Sequence, residues 1–281
     1  MRIGFVDHHL NNYHADKFLS LVRGPLKDLG ADIAIAWESD PTGDDWCEKN
    51  QVPRAGGIAE VVENSDAVMI LAPDNIPDHL ELARQVLPYG KPTAIDKALA
   101  FNTADARAIV DLSKQHNTPI TSSSALAFAG ELEDLLGQLD GEPSEVWVTG
   151  MGEWKNYGLH TLSMALRVMG ASIERLVDTG TASSRMVTLD YGGKRAFVTV
   201  RAADNMWGLF PWTVGIRTSP EKYYAATIAD YDKFYANLMR RNIEFFRTGE
   251  GGFPGERAMA LVQVLEGADN SRAAGGEWVR V

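Results

Sequence analysis

Residues 2–14 read Arg2-Ile3-Gly4-Phe5-Val6-Asp7-His8-His9-Leu10-Asn11-Asn12-Tyr13-His14, and the fold turns on them. The stretch from Ile3 to Val6 has the length and apolar character of a short buried strand. It breaks at Asp7, and Phe18, Leu19, Leu21, Val22 and Leu26 then recur at helical spacing until Gly30. A strand that passes through a polar turn into a helix opens a βαβ unit. Residues 31–37, 67–71, 93–95 and 119–121 read as further strands, with 57–63, 78–86 and 103–115 as helices between them. Ala67-Val68-Met69-Ile70-Leu71 is apolar throughout, as in a strand covered on both faces. The alternation predicts an α/β fold whose first domain, residues 1–122, is a doubly wound parallel sheet.

After residue 122 the pattern changes. A strand at 146–149 and a helix at 157–169 are followed by strands at 175–181, 185–191, 196–201 and 212–218, with hairpin-like breaks such as Gly192-Gly193. Two helices, 231–247 and 256–272, end the chain. This predicts a C-terminal α+β domain, 123–281, built on a mostly antiparallel open sheet.

Composition bounds the function. Of 281 residues, 45% are hydrophobic and 23% charged, which is globular composition. Lys and Arg number 27 against 38 Asp and Glu, a net charge of −11, so nucleic acid and an anionic membrane surface are excluded as partners. A single cysteine, Cys47, rules out an internal disulfide and a thiolate zinc site. The longest strictly apolar run, 67–72, is far short of the ~20 residues that span a bilayer. The apolar run at the N-terminus is too short for a signal peptide, so a cytoplasmic protein is expected.

Ligands of a doubly wound sheet sit beyond the carboxyl ends of its strands. Here these ends are residues 7–10, 37–39, 72–75, 96–98 and 122–124. Asp7, His8 and His9 form the first of them, in a turn that has no glycine. Read as a site-lining loop, they place a carboxylate where a pyrophosphate would lie, a repulsion of roughly 1–4 kcal/mol at ~4 Å. Asp7, His8, His9 and His14 as metal ligands, or a plain polar cap on the first helix, are the alternatives; the spacing matches no known metal site. Glu38 ends the second strand, where an acid can hold ribose hydroxyls, and an ordinary exposed acid is the alternative. Lys97 lies at the lip of the fourth strand, able to donate to a substrate oxygen or relay a proton; the alternative is a surface lysine paired with Asp96. Asn156 and His160 are four apart on a predicted polar stripe with Ser163 and Arg167, where a histidine can act as acid or base. Trp154, Tyr157, Trp207, Phe210 and Trp212 are candidates to stack on a sugar ring, or are core. Ser123 joins the substrate-binding candidates at the end of the fifth strand.

The ordered set resembles the glucose–fructose oxidoreductase/inositol dehydrogenase (Gfo/Idh/MocA) family over nearly the whole chain. Asp66 through Pro73, His79, Gly90-Lys91-Pro92 and Asp96-Lys97-Ala98-Leu99-Ala100 resemble the family's third strand, the helix after it and its Glu-Lys-Pro segment. Asn156-x-Gly158-x-His160 is similar to its Asp-x-Gly-x-His helix, and Phe253-Pro254-Gly255-Glu256 through Val279 to its last helix and closing strand. The resemblance implies a Rossmann-like first domain, a second domain whose sheet joins homo-oligomers, NAD or NADP as cofactor, and a sugar or cyclitol substrate. It makes Lys97 the catalytic lysine and His160 the catalytic histidine, with Asn156 at the place of the catalytic aspartate. Ala72, Pro73, His79 and Asp96 fall with the cofactor-binding residues, beside Asp7, His8, His9 and Glu38. The family's Gly-x-Gly-x-x-Gly falls on Asp7, His9 and Asn12. Two activities follow: an NAD(P)-dependent sugar oxidoreductase, or a redox-neutral lyase, hydratase or epimerase on an oxidised sugar that has lost the dinucleotide. A non-catalytic sugar-binding homologue is a third reading.

Overall fold

The computed structural model describes residues 1–202 and 211–281. The chain divides into two units. Unit 1 is Met1–Ser123 with Leu238–Met259, and unit 2 is Ser124–Asn237 with Ala260–Val281.

Unit 1 runs β1 (Arg2–Asp7), α1 (Tyr13–Arg23), β2 (Asp32–Glu38), α2 (Trp46–Asn50), α3 (Ile58–Glu63), β3 (Ala67–Ile70), α4 (His79–Val86), β4 (Thr93–Ile95), α5 (Thr103–Gln115) and β5 (Ile120–Thr121). The strands pair in parallel in the order β2-β1-β3-β4-β5. All four residues of β3 are buried, as its unbroken apolar run requires of a strand covered on both faces. The chain steps from β1 to β2 on one side and then to β3 on the other. The order therefore reverses between β1 and β3, where doubly wound sheets open a crevice for ligands. The helix α1 starts at Asn12, whose side-chain oxygen accepts the N–H groups of His14 and Ala15 and so satisfies two of the orphan donors of its first turn.

Unit 2 holds α6 (Gly130–Gln138), β6 (Glu145–Met151), a π-helical turn Trp154–Gly158, α7 (Leu159–Met169), β7 (Arg175–Asp178), β8 (Ser184–Asp190), β9 (Arg195–Arg201), β10 (Thr213–Ser219) and β11 (Lys222–Thr227). The helix α8 (Lys233–Thr248) falls mostly in unit 1 and α9 (Gly255–Ala273) mostly in unit 2, where β12 (Val279–Arg280) closes the sheet. Its order is β11-β10-β6-β9-β8-β7-β12. Every neighbouring pair is antiparallel except β6 and β9, which run parallel in full register from Glu145–Arg195 to Met151–Arg201. One face is apolar: Val146, Val148, Val198, Val200 and Val214 are buried, and α7 packs on it.

Two features depart from the sequence reading. The segment 238–259 belongs with the parallel sheet instead of the second domain. Phe253 is fully buried there; its carbonyl accepts from Ser122 N and Thr121 Oγ1, and its N–H donates to Thr121 Oγ1 at 2.9 Å. The strand β5 is thus extended by a partner 132 residues away, a pairing that no local pattern announces. The elements α2, α6 and β11 were not anticipated either. In β11 no residue is buried, so there is no apolar alternation to read.

Candidate functional site

In unit 1, β1 delivers Asp7 to the point where the strand order reverses. Its side chain is fully buried. One carboxylate oxygen accepts the N–H of His8 at 2.7 Å and of Ala72 at 2.9 Å; the other accepts from Asn12 Nδ2 at 2.8 Å. Burial is the largest influence on its acidity and pushes the pKa up to about 7, against the hydrogen bonds from Asn12, Ala72 and His8, with the charge of Asp96 adding to the rise. Ala72 has φ +43°, a left-handed conformation that side chains rarely adopt, and its N–H is fixed by Asp7.

Glu38, at the end of β2, is also buried and already engaged. It accepts the N–H of Leu10 at 2.6 Å and Arg54 Nη1 at 2.8 Å. The sequence offered it to a ribose; in the structure its carboxylate instead pins the turn after β1. His8 faces Asp78 at 3.2 Å and Ser39 Oγ at 3.1 Å, and His9 packs its ring edge-on against His8. His14 bonds Asp96 through Nδ1. Asp7, His8 and His14 thus go to separate partners. Among the described residues no three His, Cys, Asp or Glu side chains gather as a metal-binding group.

The loop after β4 carries Asp96 and Lys97. Burial acts to raise the Asp96 carboxyl, but the His14 ring and the Lys97 ammonium outweigh it and hold the pKa below the ordinary aspartate value. The carboxylate pairs with His14 through Oδ2, and its Oδ1 accepts the Lys97 backbone N–H at 2.7 Å. The peptide from Lys97 to Ala98 is cis. His79, expected among the cofactor contacts, has no exposed surface. Nδ1 lies 3.0 Å from Ala98 O and Nε2 3.0 Å from Leu71 O, so the ring staples the loop after β4 to the end of β3. Pro73, one residue beyond the strained Ala72, is half-buried. Ser123 is buried; its neighbour Ser122 donates to Asp96 O at 3.1 Å.

In unit 2, His160 stands on the first turn of α7. Its Nδ1 lies 2.7 Å from Ser124 Oγ, and the Tyr157 ring is 5.6 Å away. Asn156 lies in the π-helical turn before α7, exposed, with its N–H donated to Glu153. Ser163 is buried and bonds back to Leu159 O at 2.7 Å, and Arg167 pairs with Glu133, so the expected polar stripe is not there.

Trp154 is no exposed platform either. It is 5% exposed, its indole N–H donates to Leu265 O, the Arg185 guanidinium lies 4.5 Å over its ring, and Gly158 packs against it so closely that a Cβ there would meet Cε3 at 2.7 Å. Trp212 is buried and packs edge-on against Tyr231. Trp207 and Phe210 lie outside the described residues. Arg54 is the partner that the sequence reading passed over; Asn12 stood there only as the place of a family glycine, and Ser124 only as part of a strand end. Ser124 stood within the run Ser122-Ser123-Ser124 at a strand end, which was its only signal.

No family model and no curated protein sequence matches the chain. Solved structures do match, over its whole length. A probable dehydrogenase from Thermotoga maritima superposes with a TM-score of 0.82 at 16% identity, covering 100% of this chain and 98% of the other. A myo-inositol dehydrogenase assigned in Sinorhizobium meliloti 1021 gives 0.81 at 15%, covering 100% and 99%. GenD2 from gentamicin A biosynthesis, in complex with NAD, gives 0.79 at 14%, covering 100% and 96%. At such identities the shared property is architecture. The chain has the fold of the Gfo/Idh/MocA-type dehydrogenases.

Proposed function

We propose that the protein is an enzyme that moves a proton on a sugar or cyclitol, with His160 as acid–base and Lys97 as the cation that polarises a substrate oxygen. The observation that carries this reading is the bond between His160 Nδ1 and Ser124 Oγ at 2.7 Å. We assign Nδ1–H as the donor and Ser124 Oγ as the acceptor, which holds the ring in the tautomer whose Nε2 accepts a proton. The Ser124 hydroxyl is itself fixed, accepting the Leu126 N–H at 3.2 Å. Tyr157, half-buried beside the ring, is the aromatic residue we assign to the sugar face.

The same base serves two reactions. In an NAD(P)-dependent oxidoreductase it takes the proton of a hydroxyl; the occurrence of NAD in the complex of GenD2, which shares the fold, supports this reading. In a redox-neutral lyase, hydratase or epimerase it takes a proton next to a carbonyl, and the saturated turn after β1 supports that one. Incubation in D2O with a panel of sugars, cyclitols and their keto forms, followed by NMR, reads exchange of a carbon-bound proton in the redox-neutral case; in the oxidoreductase case the carbon-bound hydrogen leaves as hydride, and reduction of added NAD+ or NADP+ with the same panel is the reading. One of these activities in the wild type and its loss in His160→Ala and Lys97→Ala is the expected result. Wild-type activity in both variants removes the assignment.

We also assign the face of the second sheet opposite α7 to contact between copies of this chain. Trp147 stacks on Phe197 at 5.6 Å there, with the exposed Tyr223 edge-on to it. Sedimentation of Trp147→Glu against wild type tests this, a smaller species being expected.

A further inference from the structure

We infer that unit 1 fills the place of a dinucleotide pyrophosphate with its own carboxyl groups, and that the protein does not take up NAD or NADP at this crevice. A pyrophosphate at the switch point of a doubly wound sheet is held by backbone N–H groups of the first βα turn and by the start of the first helix. In this chain those donors are engaged from within. His8 N and Ala72 N go to Asp7 Oδ1, and Leu10 N goes to Glu38 Oε2. Asn12 N goes to Leu10 O, and His14 N and Ala15 N go to Asn12 Oδ1. Asn12 Nδ2 then closes the set by donating to Asp7 Oδ2 and to His9 O.

The two acids that do this have no exposure to spare. Asp7 is fully buried and Glu38 nearly so, and Arg54 neutralises Glu38 from the far side at 2.8 Å. A pyrophosphate entering here would have to break bonds to both carboxylates and then lie beside them, so occupancy and charge oppose it together. Asp7 does for the β1 and β3 ends what a bound phosphate does elsewhere: it gathers their inward-facing N–H groups. The acid that in other sheets meets a ribose is likewise withdrawn into the turn.

The residues present therefore do not fit the dinucleotide, and the redox-neutral member of the two reactions above is the one this crevice allows. The inference rests on unit 1 alone. The proton-exchange assay on His160 can fail while the following titration succeeds, and the reverse.

Calorimetric titration of the full chain with NAD+, NADH and NADP+, with the melting temperature followed in parallel, is the test. Wild type is expected to show no saturable heat and an unmoved melting temperature up to about 1 mM nucleotide. The isosteric Asp7→Asn removes the charge and keeps an acceptor for His8 N and Ala72 N, giving up the contact with Asn12 Nδ2, and is expected to stay without binding. The double variant Asp7→Gly, Asn12→Gly frees the donors and is expected to bind at least about tenfold more tightly than wild type, its fold checked by circular dichroism. Saturable micromolar binding by the wild type overturns the inference. So does binding by Asp7→Asn, or a folded double variant no tighter than wild type. Should the double variant not fold, the wild-type and Asp7→Asn titrations decide it alone.

Discussion

The Asp7 carboxylate and the backbone N–H of Ala72 lie 2.9 Å apart, joining the ends of β1 and β3 where the strand order reverses. Ala72 adopts a φ of +43° there. A left-handed conformation costs a residue with a Cβ about 1–2 kcal/mol, so something must hold it. The hydrogen bond that its N–H donates to Asp7 is the hold. Side chain and backbone form one device, in which the charge state at position 7 bears on the geometry at position 72.

That device makes stability depend on pH with a definite sign. The Asp7 pKa stands at about 7 in the folded protein, above its ordinary value of 3.8. A raised pKa means that the folded state holds the proton more tightly than the unfolded one. The contribution is complete below about pH 4 and disappears as pH rises through 7. Asp7→Asn has no such dependence. Urea unfolding of both proteins at pH 5 and pH 8 should show the variant gaining on wild type by up to about 3 kcal/mol between the two. Parallel curves at the two pH values would mean that Asp7 is not displaced from its ordinary range.

Glu38 gives a second, independent handle. Its carboxylate is buried, and Arg54 is the charge that balances it at 2.8 Å. Arg54→Ala leaves an uncompensated buried acid and should cost about 2–4 kcal/mol, the range for breaking a buried pair, taken low because Arg54 is one-third exposed. Arg54→Ala with Glu38→Gln should recover most of this, since the neutral amide still accepts from Leu10 N. A double variant no more stable than Arg54→Ala in the same urea titration would show that the charge is not the cause.

How much of this was legible beforehand follows from where the information lies. The parallel sheet was readable because each strand is a local apolar run, and β3 is apolar at every position. The return of Phe253 to β5 was not, because it is a pairing across 132 residues and Gly252-Phe253-Pro254 has no strand pattern. At the site, Asp7 and Glu38 were visible as acids at strand ends. Their partners are main-chain N–H groups, which every sequence has and no sequence displays. The stripe through Asn156 failed at Ser163 and Arg167, which are taken up by Leu159 O and Glu133, partners that spacing does not display. Trp154 looked like a sugar platform because an aromatic reads the same whether its faces are open or, as here, covered by Arg185.

Two aromatic residues three apart should therefore behave oppositely. Trp154 is buried under Arg185 and bonded to Leu265 O, whereas Tyr157 is half-buried beside His160. Trp154→Phe keeps the ring under the guanidinium and loses one hydrogen bond, a cost of about 1 kcal/mol in stability with KM unchanged. Tyr157→Ala should leave the melting temperature within a few degrees and raise KM about tenfold, the loss of one aromatic face against a sugar. The reverse pattern, a KM effect at 154 and none at 157, would return the platform to Trp154.

The last prediction concerns the partner of the base. Ser124 Oγ lies 2.7 Å from His160 Nδ1 and accepts the N–H of Leu126, so its position is set by the backbone that follows β5. If it fixes the tautomer, Ser124→Ala lowers kcat without touching the substrate, by roughly tenfold to a hundredfold, with KM near wild type. Ser124→Thr keeps the hydroxyl and should restore most of the rate. The pH profile separates this from a packing defect. Loss of a group that accepts from Nδ1–H destabilises the protonated ring, so the acid limb of kcat/KM in Ser124→Ala should move to lower pH. An equal fall in kcat at every pH, unrelieved by Ser124→Thr, would reduce Ser124 to a structural residue.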